Sequence, residues 1–211
     1  MPSELFLGDA AARLRASVVA IVDEAHGTGR GRRASRGGHG AGFAWAGGGG
    51  GDLFVTSAHV VSSRKAVVLT PDGRAVEGTV VGRDVNRDIA LLHAPDARVP
   101  AVTCGDPYAL RPGALVFAVG HPLGVKDAVS VGVFQAVGAI PRGFGMAERR
   151  PRRGRDPFIP WVQADVRLAP GNSGGPIADV EGNVIGVAAM IVSGLALAVP
   201  APDLERLLSS A

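Results

Sequence analysis

The chain has 211 residues, 46% of them hydrophobic, with 31 glycines, one cysteine and a formal net charge of +3. That supplies enough apolar material for a substantial core in a single structural unit, while the lone Cys104 excludes an intrachain disulfide. No apolar stretch is long enough for a membrane-spanning helix, and the N-terminus lacks the basic and apolar regions of a signal peptide, so read literally the chain is cytoplasmic.

Short apolar runs broken by Gly and Pro predict strands at 18–22, 53–56, 66–70, 75–81 and 89–92, with Pro71-Asp72-Gly73 as a hairpin turn. The glycine run 47–51 reads as a loose hairpin tip. Beyond a link at 105–112, further strands are predicted at 114–119, 129–137, 159–164, 175–179, 184–191 and 195–199, followed by a short helix over 202–209. The class is all-β, and the length fits two small packed barrels, about 16–105 and 113–200. In such a protein abundant glycine marks tight turns, barrel corners and close backbone approach.

The segment Gly171-Asn172-Ser173-Gly174-Gly175-Pro176 frames a serine with glycines, as an exposed nucleophile beside an oxyanion site requires. A serine hydroxyl needs a base, and the base needs an orienting group. His59, in Thr56-Ser57-Ala58-His59-Val60-Val61, ends an apolar strand and is the base candidate. Asp88 opens the apolar run Ile89-Ala90-Leu91-Leu92, at the edge of a core where a carboxylate needs a donor such as an imidazole N–H.

The order along the chain is His, Asp, Ser. Gly171-x-Ser173-x-Gly175 also fits the nucleophile elbow of α/β-hydrolases, but there the acid and histidine follow the serine, and no histidine follows Ser173. The subtilisin order begins with Asp and belongs to a parallel α/β sheet, unlike these short, turn-broken strands. The chymotrypsin-like order survives.

These motifs, with Val81-Gly82-Arg83-Asp84, Ala118-Val119-Gly120-His121-Pro122-Leu123-Gly124, Gln163-Ala164-Asp165 and Gly182-Asn183-Val184-Ile185-Gly186, occur in colinear order, and over about 16–208 the chain resembles the protease domain of the HtrA (DegP, DegQ) branch of trypsin-like serine proteases. The resemblance implies two six-stranded antiparallel β-barrels with the site in the cleft between them, and a serine endopeptidase acting on unfolded or damaged proteins in quality control. It implies His59, Asp88 and Ser173 as the triad, and an oxyanion hole at Gly171, Asn172 and Ser173. It further implies a substrate pocket walled by Leu168, Ala189, Met190 and Ile191. All four walls are apolar, so cleavage is expected after Val, Ala or Leu rather than after Lys or Arg. The plainer reading of Met190 and Ile191 is core strand residues. No PDZ domain, usual in this branch, is expected in a chain ending soon after 208.

The resemblance also implies a homotrimer and work outside the cytoplasm. No cofactor or catalytic metal is expected, since His26, His39, His93 and His121 show no metal-ligand spacing. Cys104 is expected to be a small buried apolar residue. Arg30, Arg32, Arg33 and Arg36, and Arg149, Arg150, Arg152, Arg153 and Arg155, form two basic clusters. They read either as solvated loops or as a polyanion site whose binding weakens with salt. The competing class of function is a noncatalytic or latent protease-fold module, chaperone-like, regulated by a polyanion or a partner.

Overall fold

The computed structural model describes residues 7–24, 39–47, 52–121, 125, 128–139 and 160–204. A helix, α1 (Leu7–Arg15), precedes strands β1 (Val18–Asp23), β2 (His39–Trp45), β3 (Leu53–Thr56), β4 (Lys65–Leu69), β5 (Ala75–Asp84) and β6 (Ile89–His93). These six close into an antiparallel barrel in the order β1-β2-β3-β6-β5-β4. After a single 3-10 turn (Pro107–Ala109) come β7 (Leu115–Gly120), β8 (Ala128–Ala139), β9 (Pro160–Asp165), β10 (Pro176–Asp179), β11 (Val184–Val192) and β12 (Leu195–Pro200). They form a second closed barrel, ordered β7-β8-β9-β12-β11-β10, the same winding repeated.

Side-chain alternation explains why the central strands read as unbroken apolar runs. Successive residues of a strand point to opposite faces. On β6, Ala90 and Leu92 fill the first barrel with Val19, Ile21 and Phe54. Ile89 and Leu91 point the other way, into a layer shared with Phe117, Val119, Val187 and Val199 of the second barrel. The same split runs through β7, whose Val116 and Ala118 join Phe134, Ile177 and Ile185 inside the second barrel. Strands buried on both faces therefore flank the interface, and each fully buried Leu, Ile or Phe contributes about 1.5–3 kcal/mol to folding.

Two elements escape the sequence pattern. Strand β2 was not expected because His39-Gly40-Ala41-Gly42 lacks β-branched residues, yet its glycines are required. A Cβ on Gly42 would approach the Val55 carbonyl to 2.7 Å, and one on Gly40 would approach Val60 to 2.6 Å. Helix α1 was also not expected, and it buries Ala10, Ala11 and Leu14 against the interface layer.

Cys104 corrects an expectation. It is exposed, because the segment between the barrels runs over the surface and attaches to β11 through a bridge to Val184. Of the expected C-terminal helix, only the start at 203–204 lies within the described residues. The glycine tip 48–51, His26 and both arginine clusters lie outside them.

Candidate active site

Asp88 lies immediately before β6, in the left-handed region at φ 59. This conformation is costly for a residue with a side chain, though Asp tolerates it better than most. Its surroundings fix it. Asp84 at the end of β5 accepts the N–H groups of Asn86 at 2.8 Å and Arg87 at 3.0 Å, closing the turn. The N–H of Ala58 donates to the Asp88 carbonyl at 3.1 Å.

The Asp88 carboxylate receives His59 twice. Its Oδ1 accepts the His59 backbone N–H at 3.0 Å, and its Oδ2 lies 2.7 Å from the imidazole Nδ1. A carboxylate in its ionised form only accepts, so in that state Nδ1 is the donor of this contact. The Asp88 side chain is 15% exposed and that of His59 47%, so the ring is open to solvent while its partner is screened.

The segment after His59 is held from both sides. Asp23, fully buried at the end of β1, accepts the Ser62 N–H at 2.7 Å, the Ser62 hydroxyl, and the Ser63 N–H at 3.2 Å. Arg83 on β5 donates to the carbonyls of Val61 and, at 3.3 Å, Ser63. Burial pushes the Asp23 carboxyl up, but the donors from Ser62 and Ser63 outweigh it and lower the pKa to about 2.

Ser173 occupies a turn just before β10. Its carbonyl accepts the Ala41 N–H of β2 at 2.9 Å, so the serine backbone is tied to the first barrel. Gly174 follows at φ 84, where a Cβ would run into the Ala41 carbonyl and the Thr56 hydroxyl. The Gly174 N–H donates to the Ala188 carbonyl at 2.7 Å, and Ser57, two residues before His59, donates its hydroxyl to that same carbonyl at 3.2 Å. Ala188 thereby links the turn bearing His59 to the turn bearing Ser173. Among the described residues no hydrogen bond joins Ser173 Oγ to His59.

The loop before Ser173 is a turn closed by the Asn172 N–H donating to the Ala169 carbonyl at 3.0 Å. Pro170 and Gly171, the latter at φ 105, take its second and third positions, the preferences of a type II turn. The Gly171 carbonyl is held by the His121 N–H at 3.2 Å. Of the three N–H groups considered for an oxyanion, that of Asn172 is thus occupied. Those of Gly171 and Ser173 make no hydrogen bond among the described residues. The Asn172 side chain is buried and packs on Gly120, where a Cβ would approach its Oδ1 to 2.5 Å.

Ser173 lines a cleft of about 240 Å³ together with Leu168, Ala169, Pro170, Ala188, Ala189, Met190 and Ile191. Ala189 is buried, Met190 half-buried and Ile191 exposed. Among the described residues no carboxylate lines the cleft. Among the described residues no group of three His, Cys, Asp or Glu side chains is arranged to hold a metal ion, and no helix is long and apolar enough to cross a membrane.

Sequence reasoning gave no individual role to Ala41, Ser57, Asp23 or Arg83. One signal was present: glycines within an otherwise apolar strand mark close backbone approach, and a Cβ on Gly40 would lie 2.7 Å from the Ser173 carbonyl.

Residues 40–187 match the trypsin-like peptidase domain family. The chain is 36% identical over 150 residues to the putative serine protease HhoB of Synechocystis sp., which covers 69% of this chain and 34% of HhoB. It is 33% identical over 154 residues to a probable periplasmic serine endoprotease, DegP-like, of Halomonas elongata, covering 69% of this chain and 30% of that protein. The HtrA-type protease AlgW, solved with a tripeptide, shares the fold, with a TM-score of 0.77 and 24% identity over 97% of this chain and 63% of that one. The chain spans about a third of the length of the curated relatives it matches. It belongs to the HtrA/DegP family of trypsin-like serine proteases.

Proposed function

We propose that this chain is a serine endopeptidase that cleaves unfolded or damaged proteins through an acyl-enzyme, with Ser173 as nucleophile, His59 as general base and Asp88 as the group that orients it. The observation that supports the reading is the double hold of Asp88 on His59, at 3.0 Å and 2.7 Å, which engages Nδ1 of the ring and leaves Nε2 as the nitrogen for the base role. His59 takes the Ser173 proton as the oxygen attacks a peptide carbonyl and returns it to the leaving amine; Asp88 stabilises the imidazolium without becoming protonated. The N–H groups of Gly171 and Ser173, unengaged among the described residues, are the donors for the developing oxyanion. Each such donor is worth roughly 100- to 1,000-fold in rate.

The cleft beside Ser173 receives the side chain preceding the cut. Its apolar walls and lack of a carboxylate favour Val, Ala or Leu, since an unpaired Lys or Arg charge would be desolvated there without compensation. Extended, unfolded segments suit this groove because they can add as a strand alongside it. Trimer formation and binding of a polyanion by the arginine clusters belong to the same proposal.

One observation favours a second reading. The missing hydrogen bond between Ser173 Oγ and His59 is what a latent module awaiting a partner would show, although catalytic contacts are commonly long before substrate binds. The two readings separate on labelling with an active-site-directed fluorophosphonate. A competent protease is modified at Ser173, as located by peptide mass mapping, and His59→Ala abolishes the label. A folded wild-type protein that takes up no label at Ser173 would support the latent module.

A further inference from the structure

The turn that carries Asp88 meets the second barrel at a long ion pair, whose nearest atoms, Arg87 Nε and Asp203 Oδ2, make no hydrogen bond to each other. Arg87, the residue before Asp88, reaches two carboxylates: Asp84 Oδ2 lies 3.3 Å from its Nη1, and Asp203 Oδ2 lies 3.8 Å from its Nε. Asp84 belongs to the same turn. Asp203 comes from the segment that follows β12 and leaves the second barrel. Its side chain is only 5% exposed, that of Asp84 18% and that of Arg87 28%, so the cluster is screened from solvent.

The position of this cluster gives it leverage. Asp88 is held at φ 59, a backbone state that persists only where the surroundings over-determine it. Within the first barrel that work falls to Asp84 and the Ala58 N–H. From the second barrel the only charged tie to this turn among the described residues is Asp203 on Arg87. A contact between charges this screened from solvent is costly to disturb, and removing one member of such a pair is more disruptive than the pair is stabilising.

We propose that Arg87 and Asp203 are positioning residues: the segment leaving the second barrel sets the orientation of Asp88, and through it the imidazole of His59. The proposal rests on the reading of Asp88 as the orienting acid. It makes the exit segment of the second barrel a point from which the His59–Asp88 pair can be tuned without any contact to substrate.

The test compares wild type with Asp203→Asn, Arg87→Gln and the double variant, using the full chain. The first readout is the low-field proton resonance of the His59 Nδ1–H bonded to Asp88, which needs no turnover. The second is kcat and KM on a peptide ending in Val before the cut. Each single variant is expected to shift or broaden the resonance and to lower kcat about tenfold with KM within about twofold, the scale of a coupled charge pair. The double variant is expected to be no worse than Arg87→Gln alone, and Asp203→Glu to restore both readouts.

Asp203→Asn with an unshifted resonance, in a protein of unchanged melting temperature, overturns the proposal while leaving the Asp88 assignment intact. A wild-type protein lacking the low-field resonance contradicts the His59–Asp88 pairing itself. Should Arg87→Gln fail to fold, Asp203→Asn and Asp203→Glu suffice, because they leave the Asp84–Arg87 contact in place.

Discussion

Ala41 of β2 donates its backbone N–H to the carbonyl of Ser173 at 2.9 Å, so the residue proposed as nucleophile is anchored by the barrel to which it does not belong. The neighbouring Gly40 makes this approach possible, since a Cβ there would stand 2.7 Å from that carbonyl and 2.6 Å from Val60. Gly40→Ala is therefore expected to push the Ser173 turn from its place and lower kcat/KM by about 100-fold or more, the cost of a misplacement of order an ångström. Gly73→Ala is the control. Its φ of 89 imposes strain, but nothing lies within 4 Å of the new Cβ, so it should cost about 1 kcal/mol of stability with kcat/KM unchanged. Equal activity in the two variants would contradict the anchoring role of β2.

Asp23 predicts an acid-sensitive joint beneath His59. Its carboxyl is lowered from 3.8 to about 2 in the folded protein, so its stabilisation is complete above the unfolded value and is lost as pH falls through the folded one. The difference amounts to about 2 kcal/mol. Asp23→Asn should thus be less stable than wild type by about 2 kcal/mol at neutral pH, with the gap closing between about pH 4 and about pH 2. Urea melts across that range check it. A gap that persists unchanged to the lowest pH would show that the loss is steric rather than ionic.

The cleft predicts selectivity by size and charge. Peptides with Val, Ala or Leu before the scissile bond should be cut in preference to those with Lys or Arg. Enlarging a wall residue with Ala189→Val should shift preference toward Ala, since about one methylene of fit is worth roughly 10- to 200-fold in such pockets. A peptide library read by mass spectrometry measures both, and dominant cuts after Lys or Arg would refute the pocket assignment.

Asp88→Asn keeps the shape of the side chain but allows the amide to donate, so the imidazole can settle in the wrong tautomer. A fall in kcat on the order of 10,000-fold is expected, with the melting temperature little changed. A loss of less than about tenfold, measured on the folded variant, would remove Asp88 from the triad.

Much of this was legible because the chemistry is local. Ser57-Ala58-His59, Asp88-Ile89 and Gly171-Asn172-Ser173 mark the proposed triad locally, and their order differs from those of α/β-hydrolases and subtilisin. The apolar runs of β6 and β7 were legible because both faces of those strands are buried. Strand β2 was not, because its sequence is dictated by the Cβ-free space near Ser173, Val60 and Val55 rather than by β propensity. The left-handed backbone of Asp88, the Asp23 and Arg83 grips on 61–63 and the Ser57 link to Ala188 are contacts between distant segments, which no local pattern encodes. Exposure of Cys104 follows from the path of the inter-barrel connection, which is likewise a property of the assembled fold.

The most direct test of the central claim is mass-spectrometric mapping of the fragments from unfolded casein incubated with wild type and, in parallel, with Ser173→Ala. The account predicts cuts after aliphatic residues with wild type only, from two proteins with the same melting temperature. Cleavage by the folded Ser173→Ala protein at the same sites would contradict it, because the nucleophile would then lie elsewhere.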